Sequence, residues 1–309
     1  MAIVAKPIRG EDMLDFRART FLSACRTRNY TRTAEELSIT QPAVSQHIAY
    51  LERHYGMKLF SYVGKRLELT TAGELLYRAL SGMAHDERLA EEALADLRTG
   101  RERLSFGVTL TVGEYLIARP LARYLSMHPH VDVRVEQAGT EVLLRRLREG
   151  EIDCALIEGY FDKHDLAWRE FCMQELVGVC APGTELSLGG PVGFEGLLER
   201  HILVREPGSG TRAVLEHALA ERNLSLASFA RMTEVSSLNI IKAFVAADVG
   251  ISFLYEAAVR EELEAGRLAR IPLAGPSVDH AITFVHLTGS VFEERFERFF
   301  EELAALSRP

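Results

Sequence analysis

The residues in this 309-residue chain whose types and spacing could do chemistry fall into two groups. The first is Gln41, Pro42, Ser45 and Gln46, with Ala49 beside them. These are short or amide side chains at the start of a candidate helix whose opposite side carries Val44, Ile48, Leu51 and Tyr55, at spacings of four, three and four. Backbone N–H groups and the helix dipole at such a start favour a phosphate, and a glutamine amide pairs twice with the edge of an adenine. The pattern predicts a helix laid into the major groove of duplex DNA.

The second group is three loop-to-helix steps: Thr109-Leu110-Thr111, the run from Arg205 through Glu206, Pro207, Gly208, Ser209, Gly210 and Thr211 to Arg212, and Ser236-Ser237-Leu238-Asn239. The first turn of a helix holds unpaired N–H groups and a positive dipole, which suit an anion. Gly208 and Gly210 let backbone approach a ligand closely, and Arg212 has the fork that clamps an oxyanion. Thr111 and Glu114 have the spacing of a capping box, so Thr111 is expected to cap its helix and leave Thr109 free for a ligand. Each step taken singly is also explained as a cap or a turn, and it is their convergence that argues for a pocket. The expected contacts are Thr109, Thr111, Glu158 at the end of a strand, Gly208, Ser209, Gly210, Thr211, Arg212 and Ser237.

Other chemistries lack their motifs. The ten histidines form no His-Glu-x-x-His pair, and no Gly-x-Ser-x-Gly elbow occurs. The 205–212 run lacks the Gly-Lys-Ser/Thr ending of a nucleotide-binding loop. Cys25, Cys154, Cys172 and Cys180 contain no Cys-x-x-Cys pair, which argues against a zinc knuckle or a dithiol centre. No enzymatic activity, metal or cofactor is expected beyond a small-molecule ligand.

Positioning the first group requires a helical support. A helix from Leu14 to about Arg28 places Phe21, Leu22 and Cys25 on one face. A second, with Thr31 as its expected cap, turns Ala34 and Leu37 inward. Ser38-Ile39-Thr40 breaks the period, Thr40 caps the third helix, and Pro42 sits in its first turn, where a missing N–H costs nothing. After Gly56, the segment Lys58 to Thr70 alternates apolar and polar around Gly64, predicting a short hairpin with Lys65 and Arg66 at its tip. DNA contacts are expected from Thr31, Arg32, Thr40, Gln41, Pro42, Ser45, Gln46, Lys65 and Arg66.

The run Tyr30-Thr31-Arg32-Thr33-Ala34-Glu35-Glu36-Leu37, then Thr40 to Ile48, Leu51-Glu52, Gly56, Leu59-Phe60 and Leu69 to Gly73 strongly resembles LysR-type transcriptional regulators. The resemblance extends from Met13 to about Ala305. It implies a winged helix-turn-helix over residues 13–71 reading one half-site of an imperfect palindrome. It also implies a two-lobed α/β domain, similar to periplasmic solute-binding proteins, with an effector in the cleft, and RNA polymerase as a further partner. Relatives usually place an arginine soon after the Leu-Phe pair, where this chain has Ser61-Tyr62-Val63. The 205–212 run resembles the branch containing regulators of carbon fixation and sulfur assimilation, which implies a small anionic metabolite. Relatives commonly carry an acidic side chain near Asn239, so effector identity does not carry over.

Between head and body, residues 72–100 contain no proline, and Leu76, Leu80, Met83, Ala90, Leu94 and Leu97 recur along them. Glu87 completes an alternating four-three spacing, the period of a two-stranded seam, so a homodimer through this helix is expected. The alternative is an amphipathic helix packed on its own chain. The resemblance adds a homotetramer built as a dimer of dimers.

From Gly100 onward, strand candidates at 104–108, 131–137, 154–158, 176–180, 202–205, 249–254 and 281–286 alternate with helices at 114–126 and 140–149, which predicts an α/β domain. The Gly- and Pro-rich stretch 182–193 looks like a crossing between subdomains, with the return near 273–279. The expected lobes are therefore about 101–181 with 277–309, and about 182–276. The stretch 292–306, with Phe296, Phe299, Phe300 and Leu303, reads as a closing amphipathic helix.

Charge is split unevenly. Residues 1–82 carry 12 Lys/Arg against 8 Asp/Glu, a balance of +4 that leaves −12 for the remainder of a net −8. A basic head on an acidic body suggests that the head alone meets a polyanion. No uncharged apolar run approaches the roughly 18 residues that span a bilayer, and no export signal opens the chain, so a cytoplasmic location is expected. Residues 1–12 are expected to be a flexible lead.

Overall fold

The computed structural model describes residues 13–64, 66–184 and 189–307. The expected lead at 1–12 and Lys65 lie outside the described residues. The chain divides into two compact units, one comprising residues up to Thr99 with the short segments 148–151 and 289–292, the other comprising the rest.

The first unit runs α1 (Phe16–Thr27), α2 (Tyr30–Leu37), α3 (Gln41–Tyr55), a hairpin of β1 (Phe60–Val63) and β2 (Arg66–Leu69), and the long α4 (Thr71–Thr99). Phe21, Ala24, Val44, Ile48, Leu51, Leu59 and Leu80 close its core, as the four-three spacing requires. Thr40 caps α3 by accepting from the Ala43 N–H at 3.3 Å. The cap of α2 is Asn29 and not Thr31: the Asn29 Oδ1 accepts from the Thr31 and Arg32 N–H groups at 2.9 and 3.1 Å. Asparagine is at least as good a cap as threonine, and starting earlier lets Tyr30 pack on the core. Gly73 admits α4 beside the hairpin, because a Cβ there would stand 2.1 Å from the Leu59 carbonyl oxygen.

The second unit is built on one sheet. Its strands are β3 (Glu102–Val108), β4 (Val131–Gln137), β5 (Cys154–Ile157), β6 (Leu166–Cys180), β7 (His201–Val204), β8 (Arg231–Glu234), β9 (Ile251–Tyr255), β10 (Ala269–Arg270) and β11 (Val278–Leu287). They lie in the order β4-β3-β5-β11-β6-β9-β7-β8, with β10 also paired to β6. The trio β4, β3, β5 is parallel, and so is the trio β9, β7, β8. Between them run β6 and β11, antiparallel from Val278 opposite Leu176 to Leu287 opposite Leu166. Helices α5 (Ala118–Met127), α6 (Thr140–Arg148), α7 (Gly210–Ala220), α8 (Leu238–Ala246) and α9 (Glu256–Glu264) connect the strands, α10 (Glu293–Ser307) follows β11, and a π-helical segment, Val112–Ile117, runs into α5.

This arrangement gives two lobes with separate cores. One gathers Leu143, Leu147, Ile152, Ile157, Leu166 and Val285. The other gathers Ile202, Val214, Leu219, Ile251, Phe253 and Tyr255 on one face of its sheet, and Leu203, Ile241 and Val245 on the opposite face. The chain crosses between lobes along β6 and β11, and not in the 182–193 and 273–279 stretches that composition suggests. Residues 166–175 are the part of β6 absent from the sequence-based strands, and all but Leu166 are half-buried or exposed. They therefore lack the apolar run that marks a covered strand. Returning from β11, α10 buries Phe296, Phe299, Phe300 and Leu303, and Phe299 packs edge-on against Phe106 at 5.0 Å.

Candidate nucleic-acid interface and ligand cleft

On α3, Val44 and Ile48 are buried while Gln41, Pro42 and Gln46 stand exposed and Ser45 is half-buried. Gln41 Nε2 donates to Ser45 Oγ at 3.0 Å, so the two side chains form one polar face at the helix start. Thr31, Arg32 and Thr40 are exposed, as is Arg66 on β2. With Asn29 as the cap, the Thr31 hydroxyl is spared for an outside partner. Arg28, absent from the sequence-based set, lines a surface hollow with Arg66, and Glu68 and Glu74 share that hollow. Its only sequence signal was its place just after a helix end. His47, on the same helix, shares a hydrogen with Thr20 Oγ1 at 2.9 Å, and burial holds its basicity below the ordinary imidazole range.

Along α4, three of the expected seam positions face the chain's own core or partners. Leu80 is buried in the first unit's core, with Leu76 packed against it. Glu87 is buried, takes the Met13 and Leu14 N–H groups on Oε1, and pairs with Arg19 at 3.0 Å. The outward stripe is instead Leu75, Ala79, Met83, Ala90, Leu94 and Leu97, which fall within a sector of about 100° on an ideal helix.

In the second unit a cavity of about 180 Å³ opens between the lobes. Its lining includes Thr109, Gln137, Gly139, Glu158, Arg205, Glu206, Ser209, Gly210 and Ser236. These follow or end the parallel strands β3, β4, β5, β7 and β8, the carboxyl edge at which open α/β sheets take ligands. Four helices begin there. Beside the three expected steps, Gly139-Thr140 opens α6. That fourth step carried the same strand-then-helix signal as the others, with a glycine as in the 205–212 run.

The polar groups at this edge are buried and incompletely paired. Thr109 Oγ1, Ser209 Oγ, Arg205 Nη1 and Glu158 Oε2 have no hydrogen-bond partner among the described residues, and each belongs to a side chain at most 6% exposed. An unpaired buried polar atom costs about 1–3 kcal/mol, so four lining one small space mark a place where a polar ligand supplies the partners.

Several expected contacts take other roles. Thr111 does not cap a helix: the helical turn already begins at Leu110, and the Thr111 hydroxyl lies 3.4 Å from Thr211 Oγ1. Thr211 donates to Glu158 Oε1 at 2.8 Å behind the cavity. Arg212 is drawn away from the cleft by Glu216 and Glu234, at 2.8 and 2.9 Å. The arginine at the cavity is Arg205, whose Nε and Nη2 hold Glu206 bidentately at 2.8 Å. Ser237 caps α8 through the Ile240 N–H at 3.4 Å, and the neighbouring Ser236 lines the cavity. Gly208, at φ 84°, sets its carbonyl oxygen 2.8 Å from where a Cβ at Gly139 would stand.

Glu158 is the one strongly perturbed carboxyl at the cleft. Burial pushes it up to about 7, opposed by the Thr211 hydrogen bonds, the Arg205 charge and the Thr111 hydroxyl. Among the described residues no cluster of three or more His, Cys, Asp or Glu has the arrangement of a metal site, and no helix is long and apolar enough to cross a membrane.

Residues 17–74 match the family described as bacterial regulatory helix-turn-helix protein, lysR family, and residues 98–308 match the LysR substrate binding domain. The HTH-type transcriptional regulator CfxR of Cupriavidus necator is 30% identical over 87% of this chain and 84% of its own length. The RuBisCO operon transcriptional regulator of Acidithiobacillus ferrooxidans is 30% identical over 94% of this chain and 93% of its own. Among solved structures, the Synechocystis CcmR regulatory domain in complex with 2-PG superposes with a TM-score of 0.60 at 21% identity, covering 67% of this chain and 98% of that domain.

Proposed function

The chain belongs to the LysR family of transcriptional regulators, and from that premise we propose that it binds an imperfect DNA palindrome and alters that binding when a small anionic metabolite enters the cleft between its lobes. The observation that carries the anion is the cavity where Thr109, Ser209 and Arg205 each present an unpartnered buried donor atom at the start of converging helices. Its volume, below the roughly 300 Å³ at which pockets for drug-sized ligands begin, suits a few-atom oxyanion or a short phosphorylated or carboxylated acid. The Synechocystis domain solved with 2-PG is in keeping with that class.

In this account Gln41, Pro42, Ser45 and Gln46 address base edges, while Thr31, Arg32, Thr40, Lys65 and Arg66 address phosphates. A homodimer forms through the outward stripe of α4, dimers pair into a tetramer, and ligand-dependent spacing of the heads is communicated to RNA polymerase. The protein works in the cytoplasm without a cofactor and catalyses no reaction. Protection mapping of the DNA upstream of its own gene, with and without candidate anions, tests this. A short dyad whose footprint changes with an anion supports it, and salt-insensitive or absent protection refutes it.

A further inference from the structure

We propose that Glu158 sets the charge that the cleft accepts: an oxyanion enters together with one proton, which Glu158 takes up, so that the neutral carboxyl donates from Oε2 to the bound ligand. This rests on the anion-binding cleft proposed above and specifies its chemistry.

The charged side chains lining the cavity are Arg205, Glu206 and Glu158. Arg205 is already neutralised by the bidentate contact with Glu206. With Glu158 ionised the cavity therefore carries one surplus negative charge, and an incoming anion meets a carboxylate within a water-poor space. Helix starts, hydroxyls and Arg205 Nη1 present donors, whereas the ionised Glu158 Oε2 presents only lone pairs. One proton resolves both conflicts, removing the surplus charge and converting Oε2 into a donor. Gly210 packs directly against Glu158, with a notional Cβ only 2.3 Å from Glu158 Cγ, so the carboxyl has little room to turn away.

The groups around Glu158 leave the proton poised. Arg205 and the Thr211 and Thr111 hydroxyls favour the ionised form, while burial opposes it more strongly. Tyr255 faces the same carboxyl, and its own phenol is held neutral by burial and by the Glu158 charge. His280 bonds the Gly159 N–H at 3.0 Å one residue on, and burial lowers its basicity, so it brings no charge near neutral pH. The result is a carboxyl titrating around neutrality before any ligand arrives. A bound anion lifts it further. The proton comes from solvent, the bond formed is one O–H, and nothing is oxidised or reduced.

Sulfate is the probe, because it stays a dianion from pH 6 to 9 and any pH dependence then belongs to the protein. Calorimetric titration of the full-length chain in PIPES and in Tris counts protons taken up per sulfate bound. At pH 8 the expected uptake is close to one proton, and affinity falls about tenfold per pH unit above 7. Glu158→Gln, which keeps a donor but cannot titrate, is expected to bind sulfate with no proton uptake and a flat pH profile. Sulfate binding by the wild type without proton uptake overturns this proposal and leaves the anion cleft standing. An unchanged proton count in Glu158→Gln overturns it by assigning the proton elsewhere. Absence of sulfate binding by both proteins at pH 6.5 overturns the anion cleft itself, and this proposal with it.

Discussion

Thr211 Oγ1 donates to Glu158 Oε1 at 2.8 Å, tying the first turn of α7 in one lobe to the carboxyl end of β5 in the other. Thr111 lies 3.4 Å from the same hydroxyl, and Gly210 closes against the Glu158 backbone. One of the contacts that join the lobes is thus made by side chains adjoining the cavity, beside the Tyr115 hydroxyl that meets Asn239 and Lys242 of the other lobe. A ligand that engages Arg205 or Glu158 acts on that contact directly, which is how differential binding can bias a two-lobed domain between arrangements.

Thr211→Val keeps the shape of the side chain and removes the donor. That bond favours the ionised carboxylate, so its loss is expected to push Glu158 further up and to raise sulfate affinity at pH 8 by up to about tenfold, with DNA affinity unchanged. Calorimetry and DNA anisotropy on the same preparation measure both, and an unaltered sulfate affinity would show that the bond is incidental.

Gly210→Ala places a methyl 2.3 Å from Glu158 Cγ and 2.4 Å from its carbonyl oxygen, both too close to exist without a shift. The lobes must part or β5 must move. The expected phenotype is a regulator that binds its operator but whose footprint no longer responds to anions. A normal response in this variant would mean that the lobes do not need to meet at Gly210.

Glu158 also makes stability depend on pH. Its folded-state value is raised from 4.5 to about 7, so between those values the folded chain holds a proton that the unfolded chain has lost. Stability of the second unit should accordingly fall as pH rises from about 4.5 to about 7, by roughly 3 kcal/mol in all, and level off above. Glu158→Gln should abolish that slope and melt higher than the wild type at pH 8. Parallel melting curves for the two proteins across this range would remove the basis for a raised Glu158.

On the DNA side, Gln46→Ala and Arg66→Ala should fail differently. Losing a bidentate amide contact to adenine costs about 1–3 kcal/mol at that base pair and relaxes specificity there. Losing a phosphate contact weakens all sequences alike and reduces the slope of log affinity against log salt by about one. Anisotropy titrations with the operator and a scrambled duplex at several salt concentrations separate the two, and identical behaviour would place both residues in the same class of contact.

Much of this was legible in the sequence because it is periodic. Val44, Ile48 and Leu51 announce α3 and leave Gln41 and Gln46 outside by subtraction. What was misread turns on which of two near neighbours wins. Asn29 and Thr31 are both good caps, and only packing of Tyr30 favours the earlier one. Thr111 and Glu114 have capping-box spacing, yet the helix starts a residue sooner and Thr111 faces Thr211. Arg205 and Arg212 flank the same glycine-rich turn. The direction of each guanidinium is set by the acid it takes: Glu206 next in sequence to the first, Glu216 one helical turn on and Glu234 from β8 around the second. Pattern alone does not decide between such neighbours, because the deciding partners Thr211 and Glu234 are met only in the fold.

The long α4 offers the sharpest contrast between fold and assembly, because its apolar residues divide by face. Leu80 is 8% exposed in the first unit's core, whereas Leu94 and Leu97 are 64% and 83% exposed. Leu80→Ala deletes buried methyl groups and should cost about 2–5 kcal/mol of stability in the first unit while the dimer persists. Leu94→Glu with Leu97→Glu removes nothing from the chain's own core, so the fold and melting temperature should hold. Four like charges facing one another across a two-fold seam should nevertheless drive the dimer apart, and operator affinity should fall with it as the two half-sites lose their link. Sedimentation velocity and thermal melts on each variant decide the matter. A double-Glu variant that remains dimeric would exclude this stripe as the seam, and a Leu80→Ala variant that loses the dimer at full stability would return Leu80 to it.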